Sequence, residues 1–274
     1  MPLERIDSPD DPRLTDYRHV SDPERLRRGE TFVAEGRLVV RALLASSPLG
    51  TRSILLTGNA YRGLADVIEP RLADIPVFLV AEGTIEALTG LNINRGCLAI
   101  GERPARVTVG HLLARLPAAR LLVVLEQIAN ADNMGGIFRN AAAFGAAAVV
   151  LGPGCCDPLY RKTIRVSMGA ALRVPFFHAG DWAADLRSMR SAGFTIAALV
   201  PAEDADDIAG HASTLSPDAR LALVAGSEGA GLTPEALAHA DVRLRIPMAP
   251  GVDSLNVAMA TGIALHRFFP SGVS

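Results

Sequence analysis

Lysine is almost absent from this chain of 274 residues: Lys162 is the one lysine, and arginine carries nearly all the positive charge. Alanine is abundant as well, so the arginine content is typical of genomic base bias and indicates little about function. Hydrophobic residues make up 49% and charged residues 20% of the chain, which favours a globular protein over a disordered one. The formal net charge of -2 argues against a protein that binds nucleic acid by charge alone. Any contact with nucleic acid must therefore be local.

Cysteine is also scarce, with Cys97, Cys155 and Cys156 and no C-x-x-C spacing. This excludes a disulfide framework and gives no support to a zinc site, so we expect no metal. Long apolar runs are missing too, because the stretch 141–156 is shorter than the ~18 residues of a membrane span and is interrupted by Gly152-Pro153-Gly154. The N-terminal residues are charged and proline-rich, unlike a signal peptide. We expect a cytoplasmic protein with no membrane partner.

Short apolar runs alternate with helical patterns along the whole chain, which predicts parallel α/β architecture. The division we expect is a small α/β domain over residues 1–105, a linker over 106–119 and a larger parallel-sheet domain over 120–274. The linker is suggested by the stretch 102–117, which has two prolines and scattered arginines. In the first domain we predict strands at Ser53–Leu56, Pro76–Val80 and Cys97–Gly101, and helices at Gly36–Ala45, Ala60–Glu69 and Ile85–Thr89. In the second we predict strands at Leu121–Leu125, Ala148–Leu151, Phe194–Leu199, Leu221–Ala225 and Val242–Ile246, and helices at Gly135–Phe144, Tyr160–Met168, Trp182–Ala192, Thr233–Ala238 and Asn256–Phe268.

The first of three chemically suggestive segments is N-A-D-N-M-G-G-I-F-R-N-A, residues 130–141. It follows a predicted strand, where open α/β sheets bind ligands. Asn133 is a suitable N-cap for the next helix, which would place Arg139 one turn in. A capped helix with one solvated arginine explains the pattern equally well.

The second segment is G-S-E-G-A-G-L, residues 226–232, directly after the strand predicted at Leu221–Ala225. Its three glycines allow unusual dihedral angles and close approach to a small molecule, and Glu228 could meet a hydroxyl, an amine or a cation. A glycine-rich turn with a surface carboxylate is the plainer interpretation. The spacing differs from G-x-G-x-x-G, which disfavours a dinucleotide site.

The third segment is I-P-M-A-P-G-V-D-S-L-N, residues 246–256. Its prolines free the chain from strand pairing and expose backbone groups that could contact an adenine edge. Ser254 or Asn256 would cap the last helix, and capping alone would explain both residues.

Basic residues cluster between the first two segments. Arg161, Lys162 and Arg165 fall at i, i+1 and i+4 of a predicted helix, which suits a phosphate backbone and equally suits a solvated helix face. Arg25, Arg27 and Arg28 form a second cluster with the same two interpretations.

In this order, the three segments resemble the motifs of the SpoU/TrmH family of RNA ribose methyltransferases, in the SPOUT superfamily. N-M-G-G-I-F-R-N-A resembles the first motif, G-S-E-G-A-G-L the second and I-P-M…D-S-L-N-V-A-M-A the third, over roughly residues 120–274. Met134 and Gly136 depart from the more usual family residues. F-V-A-E-G-R-L-V-V-R-A-L (Phe32–Leu43) is similar, more weakly, to the attached RNA-recognition domain, which looks like certain ribosomal proteins.

The resemblance implies a deep trefoil knot, S-adenosylmethionine as cofactor, a homodimer, and methyl transfer to a ribose 2′-hydroxyl of RNA, with rRNA favoured over tRNA. Carried over by motif position, the polar active-site residues are Asn133, Arg139, Glu228, Ser254 and Asn256. By the same transfer the cofactor contacts are Gly226, Gly231, Ile246, Met248 and Leu255.

The role of Arg139 needs a physical restriction, because a guanidinium with a pKa above ~12 is a poor general base. We expect it to grip the phosphate beside the target ribose and to stabilise negative charge on the 2′-oxygen. A non-catalytic RNA-binding protein that keeps the knotted fold is the main alternative. A base methyltransferase of the same superfamily is another, and a nicotinamide oxidoreductase is disfavoured because the chain lacks the dinucleotide fingerprint.

Overall fold

The computed structural model describes residues 3–18, 20, 30–90, 96–216 and 218–269. These form two compact units. Unit 1 comprises Met1–Ala105 together with Pro158–Arg173, and unit 2 comprises Arg106–Asp157 together with Val174–Ser274. Arg25, Arg27 and Arg28 lie outside the described residues. None of the helices described is long and apolar enough to cross a membrane.

The described elements alternate along the chain. The strands are β1 (Leu3–Arg5), β2 (Thr31–Glu35), β3 (Thr51–Thr57), β4 (Val77–Val80), β5 (Cys97–Glu102), β6 (Leu121–Leu125), β7 (Ala148–Leu151), β8 (Phe176–His178), β9 (Phe194–Leu199), β10 (Asp206–Asp207), β11 (Arg220–Ala225) and β12 (Val242–Arg245). The helices are α1 (Thr15–Arg18), α2 (Arg37–Ser46), α3 (Gly58–Arg62), α4 (Ala65–Ile68), α5 (Thr84–Thr89), α6 (Val109–Arg115), α7 (Ala131–Ala143), α8 (Arg161–Val166), α9 (Trp182–Ser191), α10 (Ile208–Thr214), α11 (Pro234–Ala238) and α12 (Val257–Phe268).

Unit 1 is built on a five-stranded mixed sheet in the order β1-β4-β3-β5-β2. Strands β1, β4 and β3 run parallel, whereas β5 is antiparallel to both β3 and β2. Parallel architecture predicted along the whole chain is therefore wrong for this unit. The reversal follows from β5, which runs between β3 and β2 in the direction opposite to both.

Helix α8 belongs to unit 1, although it lies far along the chain from the other elements of that unit. Arg161 donates from Nη1 to Oε2 of Glu35, at the end of β2 (2.9 Å), and Ser47 donates its hydroxyl to the carbonyl of Leu172 (2.6 Å). These contacts tie the segment Pro158–Arg173 to β2 and α2. The domain prediction that kept 120–274 together did not foresee this insertion, because sequence periodicity carries no information on long-range pairing.

Unit 2 contains a seven-stranded sheet in the order β10-β12-β9-β11-β6-β7-β8, and every neighbouring pair is parallel. The central strands are buried on both faces, as the continuous apolar sequence Leu121–Leu125 illustrates. This is the burial expected of a parallel sheet covered by helices on both sides. The parallel α/β fold predicted for this part of the chain is confirmed.

Two local predictions in unit 2 differ from the structure. Residues 106–119, predicted as a linker, contain helix α6, whose Val109 and Leu112 are fully buried in the core of the unit. Helix α7 begins at Ala131 rather than at Gly135, since Asn130 accepts from the N–H of Asp132 (2.8 Å) and caps the helix one turn earlier. Asn133 is therefore a buried helical residue and not the N-cap.

Candidate active site

A cavity of about 430 Å³ lies in unit 2 at the carboxyl ends of three neighbouring strands, β9, β11 and β12. Crevices of this kind are where open α/β sheets bind ligands. All five residues predicted to contact cofactor line it, together with Glu228 and Ser254. The lining that these predictions missed includes Leu199, Val200 and Pro201 at the end of β9 and Asp253 before α12. The predicted strand at Phe194–Leu199 was a signal for the first three, because its carboxyl end reaches the same edge of the sheet.

The loop Gly226–Leu232 closes one side of the cavity and folds back on itself. The N–H of Gly231 donates to the carbonyl of Ser227 (3.0 Å). A Cβ at Gly226 would lie 2.4 Å from the carbonyl oxygen of Gly231, so no side chain fits there without moving the loop. Gly229 and Gly231 have φ angles of +91° and +67°, a region that favours glycine. The glycines thus set the shape of this wall through the backbone.

Asn256 connects all three sequence segments. Its Nδ2 donates to Oδ1 of Asn133 (2.8 Å) and to Oε1 of Glu228 (2.6 Å). Its Oδ1 accepts from the N–H groups of Ala258 (3.1 Å) and Met259 (3.2 Å), which makes it the N-cap of α12. Both amide hydrogens and the carbonyl oxygen are therefore engaged. This geometry gives Asn256 a positioning role. Asn256, and not Ser254, is the N-cap of α12.

Glu228 lies at the N-terminus of α12, where its Oε1 also accepts from the N–H of Val257 (3.3 Å). A carboxylate is stabilised there by the helix dipole and by otherwise unpaired N–H groups. No described residue donates a hydrogen bond to its other oxygen, Oε2, and Glu228 is exposed. That oxygen can accept a proton or a hydrogen bond from a bound molecule.

Helices α7 and α12 approach closely behind this network. A Cβ at Gly136 would lie 2.8 Å from the Cβ of Ala258, and one at Gly262 would lie 2.7 Å from Nδ2 of Asn140. Asn140 in turn donates to the carbonyl of Ala258 (2.7 Å). Gly136, one of the departures from the usual family residues, thus stands where the two helices leave no room for a side chain.

Arg139 does not join the network of Asn133, Glu228 and Asn256. It is exposed on α7, and within the described ranges its guanidinium forms no ion pair or hydrogen bond. Ser254 is exposed on the rim of the cavity and likewise has no hydrogen-bond partner among the residues described. Both side chains are therefore available to a ligand.

The predicted RNA contacts Arg161, Lys162 and Arg165 lie in unit 1. Arg161 is held by Glu35, whose side chain is 8% exposed, and Nη1 of Arg165 lies 4.0 Å from the same carboxylate. Lys162 is half-buried and also has a partner. Arg165, with 53% of its side chain exposed, is more accessible than Arg161, with 22%.

No group of three or more His, Cys, Asp and Glu side chains in the described part of the chain could hold a metal ion. Cys155 of unit 2 donates from Sγ to the carbonyl of Leu125 (3.4 Å). Burial raises the pKa of its thiol to about 11, and the charge of Glu126 acts in the same direction. Cys155 is therefore a neutral thiol near pH 7.

Comparison with known proteins decides the family. The SpoU rRNA Methylase family matches residues 120–266, which is more than half of the chain. This chain belongs to that family. It is 40% identical over 280 residues to an uncharacterized tRNA/rRNA methyltransferase of Mycobacterium bovis, with 99% of this chain and 93% of the relative covered.

Two further relatives bear on the chemistry. A 23S rRNA (guanosine-2′-O-)-methyltransferase of Nitrosomonas europaea is 32% identical over 238 residues, covering 84% of this chain and 88% of the relative. The crystal structure of an AdoMet-bound rRNA methyltransferase from Sinorhizobium meliloti superposes with a TM-score of 0.80 at 26% identity, covering 97% of each chain. The predicted family is confirmed, and so is S-adenosylmethionine as the cofactor.

Proposed function

We propose that this methyltransferase transfers a methyl group from S-adenosylmethionine to a ribose 2′-hydroxyl of RNA. The observation that carries the proposal is the meeting of Asn133, Glu228 and Asn256, from three separate segments, beside the cavity formed by the second and third of those segments. The 2′-O activity named for the Nitrosomonas europaea relative supports ribose as the target. Ribosomal RNA is the favoured substrate class, in a cytoplasmic setting.

The cavity fits the cofactor in size and chemistry. Its volume of about 430 Å³ lies within the ~300–1,000 Å³ of small-molecule sites. Leu199, Ile246 and Leu255 supply apolar surface for an adenine ring, while the backbone of the loop Gly226–Leu232 supplies polar groups. When bound there, S-adenosylmethionine supplies an electrophilic methyl group. We further propose that the segments forming this pocket are the crossing strands of the trefoil knot.

The residues of this chain must bind the ribose, align its hydroxyl and accommodate the released proton. Transfer forms a bond between the 2′-oxygen and the methyl carbon, breaks the bond from that carbon to sulfur, and releases the hydroxyl proton. Ser254 at the rim and Oε2 of Glu228 are the open hydrogen-bonding groups that can orient the hydroxyl. Asn256 holds Glu228 and Asn133 in place through hydrogen bonds from its Nδ2. Such alignment is a large part of what lowers a bimolecular barrier.

Arg139 contributes charge rather than general-base catalysis. Its unpaired guanidinium suits a bidentate grip on a phosphate oxygen pair. Held beside the target nucleotide, it would also stabilise negative charge as it develops on the 2′-oxygen. This role requires an exposed arginine, as the structure provides.

A homodimer is part of the proposal. Met259 and Ile263 lie one turn apart on α12, and their side chains are exposed, with 63% of Met259 accessible. Two large apolar residues on one face of a helix that packs against α7 favour a second copy of the chain as the partner. A Met259→Glu variant should run as a monomer in light scattering after gel filtration.

The function is tested by transfer of labelled methyl from S-adenosylmethionine into separated, unmodified rRNA and tRNA. Arg139→Ala is expected to lower transfer by about 10²–10³-fold, because a charge-stabilising group is lost, while cofactor affinity stays within twofold. Arg187→Ala is the matched control, since Arg187 is another exposed helical arginine of unit 2 without a partner among the described residues.

Three results would count against the proposal. A loss of cofactor affinity in Arg139→Ala as large as the loss of methyl transfer would refute the role of Arg139 as a phosphate clamp. Absence of label together with absence of cofactor binding would favour a non-catalytic RNA-binding protein. Equal losses in Arg139→Ala and Arg187→Ala would indicate general electrostatic attraction of RNA.

A further inference from the structure

We infer that Glu126 is a positioning residue that fixes both ends of the glycine loop Gly226–Leu232 and thereby sets the affinity for S-adenosylmethionine. The inference rests on the proposed use of the cavity for that cofactor. Glu126 does not line the cavity. It follows β6 directly and stands outside the three motif segments, so the motifs gave no sign of it.

Glu126 is a buried carboxylate, 1% exposed. Its Oε2 accepts from the N–H of Thr233 (2.9 Å) and its Oε1 from the hydroxyl of Thr233 (2.8 Å). Among the residues that the structure describes, no Arg, Lys or His forms an ion pair with it. Burying a carboxylate without a cation is costly, so the two hydrogen bonds from one threonine are the compensation the structure offers.

The backbone of Glu126 contacts the residue on the other side of the loop. Its N–H donates to the carbonyl of Ala225 (3.0 Å), the residue immediately before Gly226. Thr233, held by the carboxylate, is the residue immediately after Leu232. One residue therefore fixes the chain on both sides of a seven-residue loop, at the two points where the loop leaves the body of the unit.

The remaining contacts of the loop depend on this anchoring. Glu228 reaches Asn256 and Val257 from within the loop, and Gly226, Ser227, Gly229 and Gly231 line the cavity. Since these glycines shape the wall with backbone atoms, a displaced end would change the cavity directly. The expected consequence is weaker cofactor binding, with the methyl-transfer step itself preserved once cofactor is bound.

A purely structural role for Glu126 predicts something different. Thr233 also accepts from the N–H of Ala236 (3.2 Å) and caps α11. If the carboxylate merely supported this cap, its loss would lower the melting temperature and leave cofactor affinity unchanged. Measuring cofactor affinity and melting temperature on the same variants therefore distinguishes the two roles.

The experiment uses the full chain and Glu126→Gln. The amide keeps one acceptor but turns an NH₂ group toward the second donor of Thr233, so one charge-assisted hydrogen bond is lost. We expect the Kd for S-adenosylmethionine in titration calorimetry and the KM for it in methyl transfer to rise together about tenfold. The kcat at saturating cofactor should stay within about twofold of the wild type. Thr233→Val should weaken binding similarly, and Thr233→Ser, which keeps the hydroxyl, should restore it.

The matched control is Thr108→Val. Thr108 is the N-cap of α6 in the same unit and accepts from the N–H of His111, with no part in the loop. It should lower the melting temperature with unchanged Kd. If Glu126→Gln and Thr233→Val behave like this control, the inference is overturned. If Glu126→Gln fails to fold, the Thr233→Val and Thr233→Ser pair makes the same comparison with the carboxylate intact.

Failure of the proposed pocket would look different. In that case Gly226→Ala, which must move the cavity wall, would leave the Kd of the otherwise wild-type chain unchanged. That result would refute the cofactor pocket and the role of Glu126 with it. Loss of affinity in Gly226→Ala but not in Glu126→Gln would refute the role of Glu126 alone.

Discussion

Unit 1 and the cavity edge of unit 2 use their polar side chains in contrasting ways. In unit 1 the carboxylates meet arginines: Glu35 pairs with Arg161, and Asp66 pairs with Arg41. In unit 2 the polar groups at the carboxyl edge of the sheet meet amides and backbone N–H groups, as Glu228 and Asn256 do. Ion pairs neutralise charge and leave little for a ligand, whereas the network beside the cavity keeps an open carboxylate oxygen.

Sheet direction underlies part of this contrast. All strand pairs of unit 2 are parallel, so the loops after β9, β11 and β12 emerge at one edge and enclose the cavity. In unit 1, β5 runs antiparallel to its neighbours β3 and β2, so the carboxyl ends of these three strands do not all lie at the same edge of the sheet. In unit 2, where backbone atoms and small residues form the cavity, a larger side chain should weaken cofactor binding. In unit 1, removal of a charged side chain should lower stability.

The largest effect expected of this contrast is from Gly226→Ala in unit 2. The new Cβ would lie 2.4 Å from the carbonyl of Gly231, so the loop must open and distort the cavity wall. We expect cofactor affinity to fall about 10–100-fold and stability by about 1–3 kcal/mol, measured by calorimetry and urea denaturation. Gly210→Ala is the control, since a Cβ at this helical glycine meets nothing within 4 Å. Similar affinity loss in both variants would contradict the account.

A smaller effect, on stability instead of binding, is expected in unit 1 from Arg161→Ala. Glu35 would remain largely buried with Arg165 4.0 Å away, at a cost of about 2–3 kcal/mol for an incompletely buried pair. Arg165→Ala should cost under about 1 kcal/mol, because that side chain is mostly exposed. Denaturation curves with cofactor titrations check both variants. If Arg161→Ala weakens cofactor binding without lowering stability, the assignment of binding to unit 2 and of ion-pair stabilisation to unit 1 is contradicted.

The smallest difference expected between the units is in the pKa values of their thiols. Burial raises the pKa of Cys155 to about 11 in unit 2 and that of Cys97 to about 12 in unit 1. Because the thiolate is the reactive form, alkylation of Cys155 should speed up about 100-fold from pH 7.5 to 9.5. Cys97, which is completely buried, should react more slowly throughout. Mass spectrometry after iodoacetamide treatment gives both rates, and a plateau for Cys155 below pH 9 would contradict the assignment.

The sequence predicted the central strands of unit 2 better than the edge strands of either unit. Leu121–Leu125, Ala148–Leu151 and Phe194–Leu199 were predicted with the bounds observed, because buried parallel strands are continuous apolar runs. The edge strands were missed, β1 and β2 in unit 1 and β8 and β10 in unit 2. β1 has only three residues and no buried one, so its sequence carries no apolar signal.

The motifs of the candidate site were predictable from the sequence, but the hydrogen bonds that hold those motifs in place were not. Ordered motifs named the residues that line the cavity, since local sequence determines a glycine loop or a helix cap. The roles of Glu126 and Asn256 depend on hydrogen bonds to residues 107 and 123 positions away along the chain. Such pairings arise only when the strands are placed side by side, and periodicity does not encode that placement.

The central claim is that the methyl group reaches the ribose, and alkaline hydrolysis of the labelled RNA tests it most directly. Alkali cleaves RNA through the free 2′-hydroxyl at each linkage, so a methylated 2′-oxygen protects the linkage that follows. The account predicts label in alkali-resistant dinucleotides, absent when Arg139→Ala replaces the wild type. Label recovered in mononucleotides would place the methyl group on a base and contradict the account.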